Sequence, residues 1–140
     1  DIWMRYNMFM RKGFTMIELL ITISIIGILA GIIIMPLNNS RNRAHDASAK
    51  TTMGDMRVYA NIFSENNGYS YASMCIDTEM IRLRTAVESE TGGTITCNPS
   101  DSAYAVWVKL RSNQYFCVDS EGFAGEVGIT EPLAGSTTCP

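Results

Sequence analysis

Hydrophobic and polar positions along this chain change pattern twice. From Phe14 to Leu37 the sequence is almost wholly apolar, with Glu18 as its one charge. As a helix these 24 residues extend roughly 36 Å, enough to cross a bilayer core of about 30 Å. Fourteen of them are Leu, Ile, Phe or Val, and residues of that kind favour insertion by roughly 4 to 8 kcal/mol in total. One acid costs roughly 2.5 to 3.5 kcal/mol at the helix centre and less near an end. Insertion wins.

From residue 38 to 66 the pattern becomes mixed but stays helical. No proline interrupts it, and Gly54 is its interior glycine. Ala44, Ala47, Thr51, Val58 and Ile62 form one line at helical spacing, and Met53, Met56, Ala60 and Phe63 an adjoining one. The stretch ENNGYS then predicts a stop, with Asn66, Asn67 and Gly68 suited to left-handed C-cap geometry. One helix from Phe14 to Asn66 would be roughly 80 Å long. That exceeds a compact domain of this size, so half of it must project.

After the helix the pattern turns to short elements. IDTEMIRLRTAVESE reads as a short helix capped by Asp77 or Thr78, and TGGTITCNPSD reads as loop. AYAVWVKL (103–110) and QYFCVDS (114–120) predict two strands joined by a short turn, and EGFAGEVGI a third, shorter one. The predicted fold class is α+β: a long N-terminal helix whose distal half packs on a small antiparallel β-sheet. No internal repeat is evident. Residues 1–13 are a basic leader, 14–37 the apolar helix segment, and 38–140 a head.

Composition adds polarity to this picture. The 140 residues have room for one small domain plus an appendage, and the net charge of −3 with no basic patch argues against direct nucleic-acid binding. Arg5, Arg11 and Lys12 precede the apolar run and favour a cytoplasmic N-terminus; Arg41, Arg43 and Lys50 follow it, accompanied by acids, and weaken that bias. The chain opens on Asp1, so the start of the natural protein is expected at Met4, Met8 or Met10. A signal-peptidase site would have to lie near Leu29-Ala30-Gly31, inside the apolar run, which is a poor place for one.

The four cysteines, Cys75, Cys97, Cys117 and Cys139, all fall in the distal part. An even count in an exported head reads as two disulfides. Three pairings are possible, and sequential pairing, Cys75–Cys97 and Cys117–Cys139, is favoured because it closes two loops of equal spacing. A structural metal is a poor alternative, since no C-x-x-C occurs and the one histidine, His45, lies far upstream. His45 is expected on an exposed helix face, and Tyr104 and Trp107 in sheet packing. DSEGFAGE lacks the calcium-loop pattern and reads as a turn. No acid–base, nucleophile or metal constellation points to an enzyme, and no cofactor is expected.

RKGFTMIELLITISIIGILAGI (11–32) resembles the N-terminal signal of type IV prepilins and pseudopilins: a basic leader, a glycine, Phe, three residues, Glu, then an apolar helix. The resemblance implies cleavage by a prepilin peptidase between Gly13 and Phe14, N-methylation of Phe14, and assembly of the product into a helical surface filament. Loss of residues 1–13 leaves eight cations against thirteen acids, a side-chain charge of −5. It also implies a role for Glu18 as the partner of the new Phe14 amine of a neighbouring subunit. From Gly27 to Pro36, where the proline lacks an amide for residue 32, it implies a stretch that loses helicity in the filament. Gly27 and Gly31 further form a G-x-x-x-G spacing that permits close helix approach.

Partners implied in the same way are other copies, other pilins, the peptidase, a membrane platform protein and an assembly ATPase; the uses are motility, adhesion or DNA uptake. The subunit would sit in the cytoplasmic membrane before assembly and on the cell surface after. The nearest alternatives are a pseudopilin of a type II secretion system and a minor pilin. A singly anchored protein that never polymerises is a third, and it predicts a conventional or absent cut.

Overall fold

The computed structural model describes residues 13–140, apart from the side chains of residues 34 and 35. The leader residues 1–12, with Arg5, Arg11 and Lys12, lie outside the described residues. The secondary structure comprises helix α1 (Met16–Asn66), a 3₁₀ turn (Met74–Ile76), helix α2 (Thr78–Thr91) and strands β1 (Thr96–Pro99), β2 (Tyr104–Lys109), β3 (Tyr115–Asp119) and β4 (Ala124–Gly128). The chain forms two compact units, one ending at Asn38 and the other running Asn39–Pro140.

In the first unit α1 is exposed wherever its side chains are described. Its large apolar residues show from 47% (Leu37) to 86% (Met16) of their surface. Two hydroxyls in the run are satisfied by their own helix, Thr22 donating to the Leu19 carbonyl and Ser24 to the Leu20 carbonyl, each at 2.7 Å. A hydroxyl so paired can enter an apolar phase without carrying an unmet donor. The helix is unbroken through Gly27 and Pro36.

In the second unit the four strands form one antiparallel sheet in chain order, β1-β2-β3-β4. Its inner face packs on α1 and α2 through Ala49, Met53, Met56, Ala60 and Phe63 of α1, Met80, Leu83 and Val87 of α2, and Tyr104, Val106, Val108, Phe116 and Val118 of the sheet. The outer face carries a smaller cluster of Ala105, Trp107 and Cys117, packed against Tyr115, Val127 and Cys139. Tyr104 and Trp107 are thus packing residues, both 1% exposed.

Of the two helical lines in the sequence, one faces this core. Met53, Met56, Ala60 and Phe63 are buried, whereas Ala44, Ala47, Thr51, Val58 and Ile62 are all exposed. Both lines fit the helical period, and the docking of the sheet selects between them.

The segment TGGTITCNPSD is not wholly loop: Thr96–Pro99 pairs with β2 from Thr96↔Trp107 to Pro99↔Tyr104. Four residues ending in proline carry little strand signal alone. The pairing with β2 and the anchor at Cys97 make the strand, and Pro99 is tolerated because β1 is a sheet edge.

Long-range polar bonds tie α1 to the sheet. The Asp46 carboxylate, 5% exposed, accepts the amides of Arg111 at 2.8 Å and Ser112 at 3.0 Å, clamping the β2–β3 turn. His45 meets Glu90 of α2 at 2.6 Å and is half-buried rather than free on the helix face. Lys50 bonds Glu126 of β4, and Arg57 donates to the Gly122 carbonyl at 2.8 Å. At the end of α1, Gly68 and Tyr69 both adopt positive φ, and the Tyr69 amide returns to the Ser64 carbonyl at 2.7 Å.

The disulfides are Cys75–Cys97 and Cys117–Cys139, each closing a sequence separation of 22 residues. The first joins the 3₁₀ turn to β1, and the second joins the C-terminal segment to β3. Asp119, 3% exposed, accepts the amides of Glu121, Phe123 and Cys139, so its carboxylate is already used in holding the β3–β4 turn and the second disulfide.

Tyr59 and Asp77 give the head a pH dependence. The Tyr59 hydroxyl donates to Asp77 at 2.5 Å, and that carboxylate also caps α2 by accepting the Glu79 and Met80 amides. The Tyr59 bond, then the backbone amides, hold the Asp77 carboxyl below its usual range against the effect of burial. The bond to His45 does the same for Glu90, and Asp77 pushes the Tyr59 phenol up to about 12. Depressed acids stabilise the fold above the unfolded carboxyl pKa and lose that contribution as pH falls through their folded values. The raised phenol stabilises below its ordinary pKa and fails as pH climbs toward its folded value. Thermal melts should therefore be flat from about pH 5 to 9 and fall below about pH 4 and above about pH 10. Melts equally stable at pH 7 and pH 2.5 would contradict this coupling.

Candidate processing and assembly site

The candidate site is the start of α1. Residues 13–15 precede the helix in extended or irregular backbone, and Phe14 is 77% exposed. A Cβ built on Gly13 meets nothing within 4 Å. The surroundings of Gly13 among the described residues therefore impose no need for glycine; such a need would come from whatever binds the Gly13–Phe14 bond, where a bare backbone permits close approach.

Five residues past Gly13, in the first turn of α1, Glu18 is engaged locally. The Thr15 amide donates to Glu18 Oε2 at 2.9 Å, and the Thr15 hydroxyl donates to the same oxygen at 2.8 Å. In return the Glu18 amide donates to the Thr15 hydroxyl at 3.3 Å. Thr15 is the N-cap and Glu18 the third helical residue, so the pair is a capping box. It satisfies two helix-end amides that would otherwise be left without partners. T-x-x-E in FTMIE is the local sequence signature of such a box.

Further along, Gly27 and Gly31 also have nothing within 4 Å of a built Cβ. The structure thus places Gly13, Phe14 and Glu18 within one short segment, whereas Gly27 and Pro36 lie along an uninterrupted helix and the four cysteines lie in the head. Among the described residues no group of His, Cys, Asp and Glu could hold a metal ion. One helix among them is long and apolar enough to cross a membrane.

The prokaryotic N-terminal methylation motif matches residues 8–34, spanning the Gly13–Phe14 bond, Glu18 and the apolar helix. A motif of that kind, opening a helix long and apolar enough to cross a membrane and leading to a small α+β head, fits a membrane-anchored precursor. Over part of its length the chain also resembles a type IV pilin. It is 42% identical to the type IV wide pilus major component PilA4 of Thermus thermophilus over 60 residues, 42% of this chain and 46% of that protein. The matched stretch therefore spans about half the length of that curated relative. No solved structure matches the fold.

Proposed function

We propose that this chain is a structural subunit of a type IV pilus, not an enzyme. The observation that carries the reading is an apolar helix half, exposed along its described length, that opens on the methylation motif. A helix of this kind has two environments that cover it: lipid before assembly, and the helices of other copies after.

In this reading residues 1–13 are the leader, 14–37 the membrane and polymerisation segment, and 38–140 the head. A prepilin peptidase cuts between Gly13 and Phe14 on the cytoplasmic side, and Phe14 is N-methylated. The cut precedes the apolar run, so the product keeps its helix and stays in the membrane with its N-terminus inside. The subunit then joins the filament base as the amine of Phe14 and the carboxylate of Glu18 pair between neighbouring copies. Both charges are desolvated there, so a matched pair fixes register while an unmatched charge is costly. A platform protein and an ATPase drive the addition. Gly27 and Gly31 let helices approach, and the stretch from Gly27 to Pro36 loses helicity on packing.

The exposed line on the distal half of α1 supports the same reading. Ala44, Ala47, Thr51, Val58 and Ile62 keep an apolar or small character although they face away from their own core. A helix face of that composition is what a second copy would cover. Val58→Glu with Ile62→Glu is expected to leave the melting temperature of the head within a few degrees, because both side chains are already about half-exposed, while filament yield falls tenfold or more. Wild-type yield from the double variant would remove this support.

The reading as a whole is tested by mass spectrometry of sheared surface filaments. The expected species begins at N-methylated Phe14 and is about four mass units lighter than the reduced chain, one hydrogen for each of the four cysteines. Absence of the chain from filaments, or an N-terminus elsewhere, would overturn it.

A further inference from the structure

The turn that ends α1 carries Asn67-Gly68 at an exposed position. An asparagine side chain ends in an amide, and the backbone nitrogen that follows it can close a five-membered ring on its Cγ. Ring closure needs a next residue that does not crowd that nitrogen, an N–H not already committed to a hydrogen bond, and access for water. Gly68 has no side chain to crowd its nitrogen. Among the described residues its amide donates no hydrogen bond, although its neighbours' amides do. Those of Asn67, at 3.1 Å, and Tyr69, at 2.7 Å, both donate to the Ser64 carbonyl.

The other described asparagines each lack one of these conditions. Asn66 is followed by the Asn67 amide, which is committed to Ser64. Asn38, Asn39, Asn42 and Asn61 lie inside α1, where the following amide belongs to the helical ladder. Asn98 precedes Pro99, which has no N–H. Asn113 precedes Gln114, whose side chain crowds the nitrogen.

We propose that Asn67 is a site of spontaneous deamidation, with the Gly68 amide as nucleophile and water as co-reactant. The Gly68 nitrogen gives up its proton and bonds to Asn67 Cγ, and the Cγ–Nδ2 bond breaks as ammonia leaves with that proton. Water then opens the succinimide at either carbonyl. Cleavage of the new bond gives aspartate; cleavage of the old peptide bond gives isoaspartate, in which the chain runs through Cγ. Nothing is oxidised or reduced. The product has a carboxylate where the amide stood. Asn67 Nδ2 donates to the Phe63 carbonyl at 2.8 Å, in the last turn of α1. A carboxylate has no donor for that carbonyl and brings negative charge to the helix C-terminus, where it is unfavourable. Deamidation therefore loosens this turn, next to a residue, Tyr69, already held at φ 64°.

The test keeps the full-length chain in detergent for several weeks at about 37 °C, at about pH 6 and about pH 8.5, before reduction, tryptic digestion and mass spectrometry. The peptide between Arg57 and Arg82 carries Asn61, Asn66 and Asn67 together, so each controls for the others. The expected result is a gain of about one mass unit confined to Asn67, amide having become acid. It should accumulate at least about tenfold faster at the alkaline pH, because the amide anion grows about tenfold per pH unit. Gly68→Ala should slow it at least about fivefold by crowding the nitrogen. Asn67→Asp, equivalent to the aspartate product, should lower the melting midpoint by roughly 5 °C. Asn67 unchanged at alkaline pH would overturn the inference, as would Asn66 reacting as fast as Asn67 or an undiminished rate in Gly68→Ala. A wild-type midpoint from Asn67→Asp would overturn the loosening of the turn. Filaments are not needed for these measurements, so this inference and the subunit reading fail separately.

Discussion

Glu18→Ala is expected to produce a chain that is cut, methylated and held in the membrane, yet yields at least a hundredfold fewer filaments. Insertion should be unharmed, because the apolar run exceeds the cost of the acid and alanine removes that cost altogether. Cutting should be unharmed because the bond at Gly13–Phe14 lies outside the capping box. Assembly should fail because the Phe14 amine of each added copy then enters an apolar bundle with no carboxylate to meet it. Removing one partner of a buried ion pair costs about 3 to 5 kcal/mol, which at each addition is a factor of more than a hundred. The measurement is the yield of sheared filaments normalised to membrane-held, processed chain. A normalised yield near that of wild type would show that Glu18 serves only to cap its own helix, which glutamine would do as well.

The second large effect concerns the head. Asp46→Ala is expected to lower its melting temperature by roughly 10 to 20 °C. The Asp46 carboxylate is 5% exposed and accepts two amides from the β2–β3 turn. Bonds to a charged acceptor contribute about 1.5 to 3 kcal/mol each, and the substitution removes both at once. For a domain of about a hundred residues a loss near 3 kcal/mol moves the midpoint by the stated amount. Asp46→Asn keeps one good acceptor and should fall between alanine and wild type. Asp55→Ala, an exposed acid on the same helix, should change the midpoint by no more than about 2 °C. Melts of the full chain in detergent, followed by the near-ultraviolet signal of the buried Trp107, give the comparison. Equal midpoints for the Asp46 and Asp55 variants would show that the clamp contributes nothing.

Features that depend on neighbours in sequence are legible in the sequence alone. The apolar run, the acid at its start, the stop at ENNGYS and the two longer strands each follow from local composition and period. The cysteine pairing was favoured by equal spacing, and the structure shows that pairing. Features set by the meeting of distant segments were not legible. Strand β1 exists because β2 lies beside it, not because TCNP prefers to extend. The helix offers two lines of the right period, and only the position of the sheet decides that Met53, Met56, Ala60 and Phe63 go inside. Asp46 and Asp119 look like surface acids in the sequence, yet each is buried and used by backbone amides, in the case of Asp46 from more than sixty residues away. Thr15 differs from these. Its signal, T-x-x-E at a helix start, is local and readable beside the glutamate.

The two disulfide loops also set how far the head can lengthen under mechanical load. A pull applied at α1 and at the C-terminal end enters Asn39–Pro140 at one end and leaves at the other. Cys75–Cys97 takes the residues between them, α2 among them, out of the stretched path, and Cys117–Cys139 does the same for β4 and the final segment. Each shortcut spans 22 residues. A fully unravelled head would reach roughly 200 Å instead of roughly 350 Å, at about 3.4 Å per residue. The oxidised head is thus a tether of limited reach: pulled to its end, it still holds α2 and β4 in closed loops that bear no tension.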